Sequence, residues 1–298
     1  MNEHRVGLLG ATSLVGECLI KRLTGHDWHV TAFSRRSTTN LTPHPQIAWQ
    51  QFDAISAVKD CNEKHEIHAW LCVAPIWILP EHFDLLSAYN ARRIIVLSST
   101  SRFTKATSPD PSERKIAQQL IEGETRLQAW AAARGVEWII LRPTLIYGYG
   151  RDKNIAEIAQ FIRRFGFFPL LGPACGLRQP VHVEDVAAAC HAALNSINLP
   201  CRAYNLSGGE TLTYRAMVAR VFRAMNRPVR TFTVPLCFFR IATWGLGWLP
   251  KYRNWTTAMA ERMNQDLKFD SSDAKRDLDF SPRPFKPALE DLSGQNQP

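Results

Sequence analysis

Several features that define other protein classes are missing from this sequence. It contains no internal repeat and no low-complexity or Gly/Ser-rich stretch, which excludes solenoids, propellers and linker-like chains. Its 7 cysteines include no C-x-x-C pair, so we expect free thiols in a reducing compartment, the cytoplasm, rather than a disulfide framework. We assign no residue to a metal site.

The first residues show no features of a cleavable signal, and the sequence contains no basic stripe. Residues 1–5 lead directly into an apolar run, so we expect the chain to begin folding at its first strand. The formal net charge is +9, but the basic residues are scattered or form short pairs such as Arg92-Arg93. We therefore expect no nucleic-acid partner and interpret the charge as a general preference for anionic partners, including cofactor phosphates.

The hydrophobic pattern predicts strands that alternate with helices over the first half of the chain. A long helix is predicted over residues 112–133, with Ser112 as its N-cap and Gly135 just past its end. Alternation of this kind indicates an α/β fold whose doubly wound parallel sheet is covered on both faces. Short apolar runs place six strands at residues 6–9, 29–34, 48–52, 68–74, 93–98 and 138–141, and a first helix at 17–23.

Beyond residue 150 the pattern loosens. The sequence predicts helices near 155–165, from Val183 and from Thr213, a short strand at 203–206, and a Gly/Pro-rich stretch over 166–180. We expect one domain over residues 1–150. A smaller mixed region over 151–298, partly interleaved with the first, would lie at the carboxyl ends of the sheet, where such folds bind ligands.

A glycine turn links the first predicted strand to the first helix, with the sequence Gly10-Ala11-Thr12-Ser13-Leu14-Val15-Gly16. Gly10 permits the tight turn, Ser13 stands where close approach is needed, and Gly16 lets the helix pack on the strand. Such a turn brings backbone close to a pyrophosphate and directs a helix N-terminus at it. The turn therefore predicts a Rossmann-type site for a nicotinamide dinucleotide, with Gly10, Thr12, Ser13, Leu14, Val15, Gly16 and Ala74 among its cofactor-binding residues.

The end of the second predicted strand bears on the choice of cofactor. NAD sites place an acid there for the ribose hydroxyls, whereas NADP sites place a cation for the 2′-phosphate. The chain has Arg35 and Arg36 and no acid, which favours NADP, although NAD or a merely solvated basic turn stays open. Asp53, after the third strand, is either an acceptor for the adenine amino group or an ordinary loop aspartate.

Four further segments complete a family pattern. They are Leu97-Ser98-Ser99-Thr100, residues 141–148 from Leu141-Arg142-Pro143, residues 179–187 around His182, and residues 204–209. With the glycine turn, they make the chain similar to the extended short-chain dehydrogenase/reductase superfamily, in its NAD-dependent epimerase/dehydratase group, from Val6 to about Val221. The resemblance implies a small-molecule substrate, such as a nucleotide-linked sugar, and a homodimer. It also implies that Ser99 or Thr100 orients the substrate oxygen.

The resemblance breaks at the catalytic pair. The family uses a Tyr and a Lys four residues later on one helix, where the Tyr exchanges a proton as hydride moves. Glu124 fits the acid eight positions after the Tyr, and this register puts Ile116 and Leu120 in the two catalytic positions. The chain is therefore identified as an atypical member of the superfamily.

Other residues are candidates for the proton transfer that the missing Tyr and Lys perform in the family. The string from Tyr149 to Lys153 lies in a glycine-rich loop and is interpreted as chance, because a loop does not fix the i,i+4 geometry. Arg178 is predicted either to contact a nucleotide diphosphate or to be a surface cation. His182 is assigned to the substrate site, with a structural role before its helix as the more favoured interpretation. Lys115 and Arg102 are further candidates for an acid or a base.

The apolar, aromatic stretch 233–250 is too short to span a membrane and is bracketed by prolines. One interpretation is a helix that covers the substrate pocket. The other is an interfacial anchor for peripheral membrane contact, with Trp244 and Trp248 at headgroup level and Arg230, Lys251 and Arg253 beside them. The second resembles an accessory-subunit family of respiratory complex I with degenerate catalytic motifs.

Two functional hypotheses follow. The first is an NADP-dependent oxidoreductase or nucleotide-sugar epimerase/dehydratase-like enzyme. The second is a non-catalytic NADP(H)-binding module for redox sensing or for assembly of a membrane complex.

Overall fold

The computed structural model describes residues 4–35, 43–51, 66–196, 199, 201–235 and 262–293. Arg36, Asp53 and all but the first three residues of the stretch 233–250 lie outside these ranges. The strands, in chain order, are β1 (Arg5–Leu9), β2 (His29–Ser34), β3 (Ile47–Gln51), β4 (Ala69–Cys72), β5 (Arg93–Leu97), β6 (Glu137–Pro143), β7 (Ile146–Tyr147), β8 (Phe168–Leu171), β9 (Leu177–Arg178), β10 (Val181–His182), β11 (Arg202–Leu206), β12 (Leu212–Thr213) and β13 (Thr231–Val234).

Seven of these strands form one parallel sheet in the order β11-β6-β5-β4-β1-β2-β3. The order reverses between β1 and β4, and the carboxyl ends on either side of such a switch point leave a crevice where ligands bind. Three small pairs, β7 with β10, β8 with β13, and β9 with β12, lie outside this sheet. The strand β11 pairs with β6 at the edge of the central sheet, although its residues lie well beyond residue 150.

Helices cover both faces of the sheet, as the hydrophobic runs predict. On one face α1 (Leu14–Thr24) and α6 (Val183–Asn195) pack against Leu8 and Leu71. On the other face a 3₁₀ helix (Ile76–His82), α2 (Phe83–Ala88) and α4 (Pro111–Arg134) pack against Leu9 and Trp70. Neighbouring residues of one strand thus enter different cores, because side chains alternate across a strand. The helices are α1 (Leu14–Thr24), α2 (Phe83–Ala88), α3 (Ser101–Thr104), α4 (Pro111–Arg134), α5 (Ile155–Phe165), α6 (Val183–Asn195), α7 (Tyr214–Ala224) and α8 (Ser272–Leu278).

A further core packs α5, β8 and α7 together. Ile162 of α5, Leu170 of β8, and Val221 and Phe222 of α7 are fully buried in it. Side chains of these three elements and of the carboxyl ends of β5 and β6 line one cleft. In the part of the chain that the structure describes, no helix has both the length and the apolar character needed to cross a bilayer.

The elements confirm the α/β prediction, with local corrections. All six predicted strands occur within two residues of their predicted bounds. The N-cap of α4 is Asp110 and not Ser112: Asp110 Oδ1 accepts the Ser112 N–H at 2.8 Å, and Pro111 fills the first helical position. The Gly/Pro-rich stretch 166–180 contains two short strands, β8 and β9.

Candidate functional site

The glycine turn after β1 has the geometry that its sequence predicts. Gly10 has φ +86° and accepts the Ser13 N–H at 2.9 Å. Ser13 caps α1, since its Oγ accepts the Gly16 N–H at 3.0 Å. A Cβ on Gly16 would lie 2.3 Å from the Gly10 carbonyl oxygen, so only glycine lets α1 start this close to β1.

A cleft of about 1230 Å³ opens over the carboxyl ends of β1, β4, β5 and β6. Ser13, Leu14, Val15 and Ala74, all predicted to bind cofactor, line it. The N–H groups of Leu14 and Val15 belong to the first turn of α1, where an α-helix has no intrahelical acceptor for its donors. These donors and the positive end of the helix make this wall suitable for a phosphate.

The other predicted cofactor residues lie near the cleft without lining it. Gly10, Thr12 and Gly16 form the turn behind the lining residues. Arg35 is exposed immediately after β2, at the end of the sheet's second strand.

The three hydroxyls after β5 are in different states. Ser98 Oγ donates to Glu124 Oε1 at 2.6 Å, and Thr100 Oγ1 donates to the Pro143 carbonyl at 3.2 Å. Ser99 Oγ accepts the Ser101 N–H at 3.1 Å, which leaves its own hydroxyl proton for a ligand. Ser98, Ser99 and Thr100 all line the cleft, but only Ser99 has this proton available.

One face of α4 contributes an apolar strip to the cleft. Ile116 and Leu120, one turn apart, both line it. At the next turn stands Glu124, which is 2% exposed and forms ion pairs with Arg142 and Arg102. Arg142 Nε also donates to Glu124 Oε1 at 3.0 Å, so the acid fixes α4 against the end of β6.

A second charged cluster, which sequence reasoning missed, lies at the N-terminal end of α4. Glu113 is buried, accepts the Ser108 hydroxyl proton at 2.7 Å, and pairs with Arg262 at 2.7 Å. The Lys105 Nζ lies 3.9 Å from the same carboxylate, and both side chains line the cleft. Burial lowers the pKa of Lys105, an effect that the charge of Glu113 partly offsets.

No spacing rule points to this cluster. Lys105 and Glu113 belong to different elements and meet only because the loop 105–110 folds back on α4. The one available signal was an acid in the first turn of a helix, which most often only complements the helix dipole.

Arg178 and His182 occupy different environments. Arg178 lines the cleft, but its guanidinium donates to the carbonyls of Leu177, Gln265 and Arg262. Burial lowers its pKa to about 10. His182 does not line the cleft; it caps α6 through the Glu184 N–H at 3.3 Å and contacts Asp291 at 3.0 Å.

Tyr149 and Lys153 do not form a catalytic pair in space. Tyr149 has φ +53° in the turn after β7, and its hydroxyl donates to Glu184. Lys153 lies in the bend before α5 and lines the cleft, whereas Tyr149 does not.

Apolar side chains from α5, β8, α7, the loop before β7 and the segment after residue 262 form one part of the cleft lining. They include Leu145, Ile158, Phe161, Phe168, Leu171, Met217, Met263, Leu267 and Phe269. Polar side chains, among them Asp152, Glu157, Arg178, Arg262 and Gln265, lie in the same lining.

Comparison with known proteins bears on the family. The sequence model of the NAD dependent epimerase/dehydratase family matches residues 82–207. This range contains α4, the carboxyl ends of β5 and β6, and the strand β11. Over these residues the chain is similar to the family that its sequence motifs resemble.

Two curated proteins are similar to parts of the chain. It is 36% identical to the mitochondrial NADH dehydrogenase (ubiquinone) 1 alpha subcomplex subunit 9 of Arabidopsis thaliana over 100 residues, 33% of this chain and 25% of that protein. It is 21% identical to the UDP-glucose 4-epimerase of Vibrio cholerae over 161 residues, 54% of this chain and 47% of that protein. The chain spans less than half the length of the curated relatives it matches.

The fold is also that of solved epimerase structures. UDP-glucuronic acid 4-epimerase from Bacillus cereus in complex with NAD superposes with a TM-score of 0.69, at 15% identity, over 96% of this chain and 95% of that one. The similarity shows the fold alone and confirms the Rossmann-type architecture.

Proposed function

We propose that this chain, whose residues 82–207 belong to the NAD dependent epimerase/dehydratase family, binds a nicotinamide dinucleotide in its cleft and prefers NADP(H). We propose further that it is an NADP-dependent oxidoreductase of the epimerase/dehydratase type. Its substrate would be a small carbonyl or hydroxyl compound, nucleotide-linked sugars included. The observation that carries the proposal is the intact glycine turn, whose close packing would admit no side chain at Gly16.

The residues present fit this group. The first-turn amides at Leu14 and Val15 would hold the pyrophosphate, and Ala74, after β4, would lie beside the adenosine half. Arg35 is exposed at the end of β2, where a cation would meet the 2′-phosphate of NADP. Arg36 and Asp53 are proposed for the same half of the cofactor on sequence grounds alone.

The reaction would need a proton donor other than a phenolate. When bound, a reduced nicotinamide supplies a hydride to a carbonyl carbon. The carbonyl oxygen then requires a proton, which Ile116 and Leu120 cannot give. The free hydroxyl proton of Ser99 would orient that oxygen, with Thr100 supporting the loop through Pro143. Lys105, with its lowered pKa, would donate the proton.

Turnover with NADPH tests the enzymatic proposal. NADPH deuterated at C4 would be mixed with quinones, ketones and nucleotide-linked keto-sugars, and deuterium in the product would be measured. The wild type is expected to transfer the label, with a rate that falls as pH rises through the Lys105 pKa, because the donor must be protonated. K105Q should lose about 100-fold in kcat and also lose that pH dependence.

The control is K115Q. Although the sequence offers Lys115 as an acid/base candidate, its side chain is exposed and does not line the cleft, so kcat and the pH profile should stay unchanged. Equal kcat and pH profiles for K105Q and wild type would remove Lys105 from the reaction. Label transfer to no substrate, with NADPH binding intact, would overturn the enzymatic proposal.

That last outcome would favour the second candidate, a non-catalytic NADP(H)-binding module that senses redox state or supports a membrane complex. The apolar strip formed by Ile116 and Leu120 in the cleft favours it, because these side chains can bind but cannot exchange protons. The partial identity to a subunit of a mitochondrial NADH dehydrogenase points the same way. Peripheral membrane contact through 233–250 and a homodimer are proposals of this candidate.

The hydrogen bonds of Arg178 and His182 within the protein favour structural roles for both residues over direct contact with the substrate. Arg178 uses three of the five N–H donors of its guanidinium on backbone carbonyls, which hold it in the wall of the cleft. His182 would act on the substrate indirectly, by holding the loop between β10 and α6.

A further inference from the structure

Four phenylalanine rings form a continuous surface at the end of α5 and the edge of β8 and β13. The ring of Phe161 lies 4.6 Å from that of Phe165 and 5.9 Å from that of Phe167, centroid to centroid. The Phe167 ring lies 5.0 Å from that of Phe232. We call these four rings the aromatic face.

Two rings of the aromatic face are exposed, while Phe161 packs against the core that contains α5, β8 and α7. Phe165 is 49% exposed and Phe232 is 48% exposed. The helix α5 already buries Ile155, Ile158 and Ile162 against α7 and β8. Single exposed apolar side chains are ordinary, but a contiguous exposed cluster marks a site of interaction.

Exposed arginines adjoin this surface. Arg163 and Arg164 end α5, the Arg164 guanidinium lies 5.3 Å from the Phe165 ring centre, and Arg230 directly precedes β13. No Asp or Glu occurs between Glu157 and Glu184, the stretch that includes most of α5 and all of β8.

The same holds for the stretch that forms α7 and β13. Between Glu210 and Glu261 there is again no acid, while the chain carries 8 cations there. They are Arg215, Arg220, Arg223, Arg227, Arg230, Arg240, Lys251 and Arg253. Five of these cations, Arg215 to Arg230, belong to the described part of the chain, and Arg220 among them is paired with Glu210. The exposed Arg164 and Arg230 are therefore the cations next to the aromatic face in the chain.

We propose that the aromatic face docks on a bilayer that contains anionic lipids. Phenylalanine presents hydrocarbon with no hydrogen-bonding group, which suits insertion at the boundary between headgroups and acyl chains. The arginines would lie at the level of the lipid phosphates.

The ring geometry favours a lipid surface over a single-stranded nucleic acid. Successive rings are tilted by 45°, 40° and 47°, so they present an irregular wedge and no flat platform on which bases could stack. Phe161 also lines the cleft, so docking would place the apolar part of the cleft beside the bilayer.

The test is flotation of the full chain with vesicles of phosphatidylcholine alone or mixed with phosphatidylglycerol. The wild type should float with the mixed vesicles at low salt and much less with phosphatidylcholine alone. F165S/F232S should lower the partition coefficient at least about ten-fold, because two exposed rings lose their apolar contact with the bilayer. R164Q/R230Q should lower it by about five-fold per arginine, and added salt should reduce the wild type to a similar level.

Matched controls lie on α4. I121S removes an apolar side chain that is 37% exposed, and R126Q/R134Q removes two exposed arginines. Both should float like the wild type. Far-ultraviolet circular dichroism and NADPH affinity should be equal for all variants, which separates loss of docking from loss of the fold or of the cofactor site.

Three results would overturn the proposal. One is flotation of F165S/F232S equal to that of the wild type. The second is no flotation of the wild type together with concentration-dependent self-association that F165S/F232S abolishes, which would make a second copy the occupant. The third is binding to a single-stranded oligonucleotide that F165S/F232S abolishes while flotation is unchanged.

Discussion

At the scale of single residues, Glu124 has the most exacting environment that the structure describes. It is 2% exposed, and Arg142, Arg102 and the Ser98 hydroxyl all donate to it. Removal of its charge would leave two arginines, both largely buried, without a counter-ion. A buried charge that loses its partner costs far more than an exposed one.

We predict that E124Q lowers the free energy of unfolding by about 3 kcal/mol, because the amide cannot neutralise the two guanidiniums. Urea denaturation monitored by circular dichroism measures it. The control is E122Q. Glu122 lies on α4 two residues before Glu124 and is exposed, so this variant should change the free energy of unfolding by less than about 0.5 kcal/mol. Equal midpoints for the two variants would show that the Glu124 cluster does not stabilise the fold.

The two charged clusters on α4 differ in how far the sequence predicts them. Glu124 and Arg142 follow from the register that the family resemblance sets, and the structure pairs them. Lys105 and Glu113 could not be predicted, because their meeting depends on the path of a loop. Ser99, by contrast, was predicted, but only hydrogen-bond partners separate its free hydroxyl proton from the occupied ones of Ser98 and Thr100.

At the scale of elements, the packing of α1 on β1 carries the cofactor proposal. A side chain at Gly16 would press on the backbone oxygens of Gly10 and Ala11, at 2.3 and 2.6 Å. Neither oxygen can move without opening the turn.

We predict that G16A lowers the free energy of unfolding by about 1–3 kcal/mol, the usual cost of forcing an extra methyl into a packed site. NADPH affinity, measured by fluorescence titration, should fall with it. G25A at the other end of α1 is the control, because its Cβ would come no closer than 3.3 Å to any atom and its φ is an ordinary −68°. A stable G16A variant with unchanged affinity would contradict the account.

The contact between α1 and α6 predicts a pH dependence of stability. The His191 ring of α6 lies 4.6 Å from that of His26, which follows α1, and Nδ2 of Asn195 contacts its Nε2 at 3.0 Å. Burial lowers the pKa of His191 to about 4, and His26 and Arg22 add to this effect. In the unfolded chain the pKa is about 6.5, so the unfolded state takes up a proton first as pH falls.

We therefore predict that stability is lost between pH 6.5 and pH 4 and that H191Q reduces this loss. Urea midpoints at several pH values measure it. H44Q, at an exposed histidine three residues before β3, should leave the pH profile as it is. The prediction fails if H191Q and H44Q have the same profile.

At the scale of the whole molecule, most of the α/β framework could be predicted from the sequence. Apolar runs that contain β-branched residues, such as Ile94-Ile95-Val96 in β5, specify strands, and alternating helices specify parallel pairing. The short pairs β7–β10, β8–β13 and β9–β12 could not, because two- to four-residue strands carry no periodicity. Their pairing depends on packing between distant segments, as for β8, which is buried in the core that also contains α5 and α7.

The central claim is that the cleft over the carboxyl ends of β1, β4 and β5 holds a nicotinamide dinucleotide. The direct measurement is calorimetric titration of the full chain with NADPH, NADP, NADH and NAD. We expect saturable binding, with lower dissociation constants for NADPH and NADP than for NADH and NAD, because Arg35 would meet the 2′-phosphate. Tighter binding of NADH than of NADPH would remove the role of Arg35, and binding of none of the four would contradict the central claim.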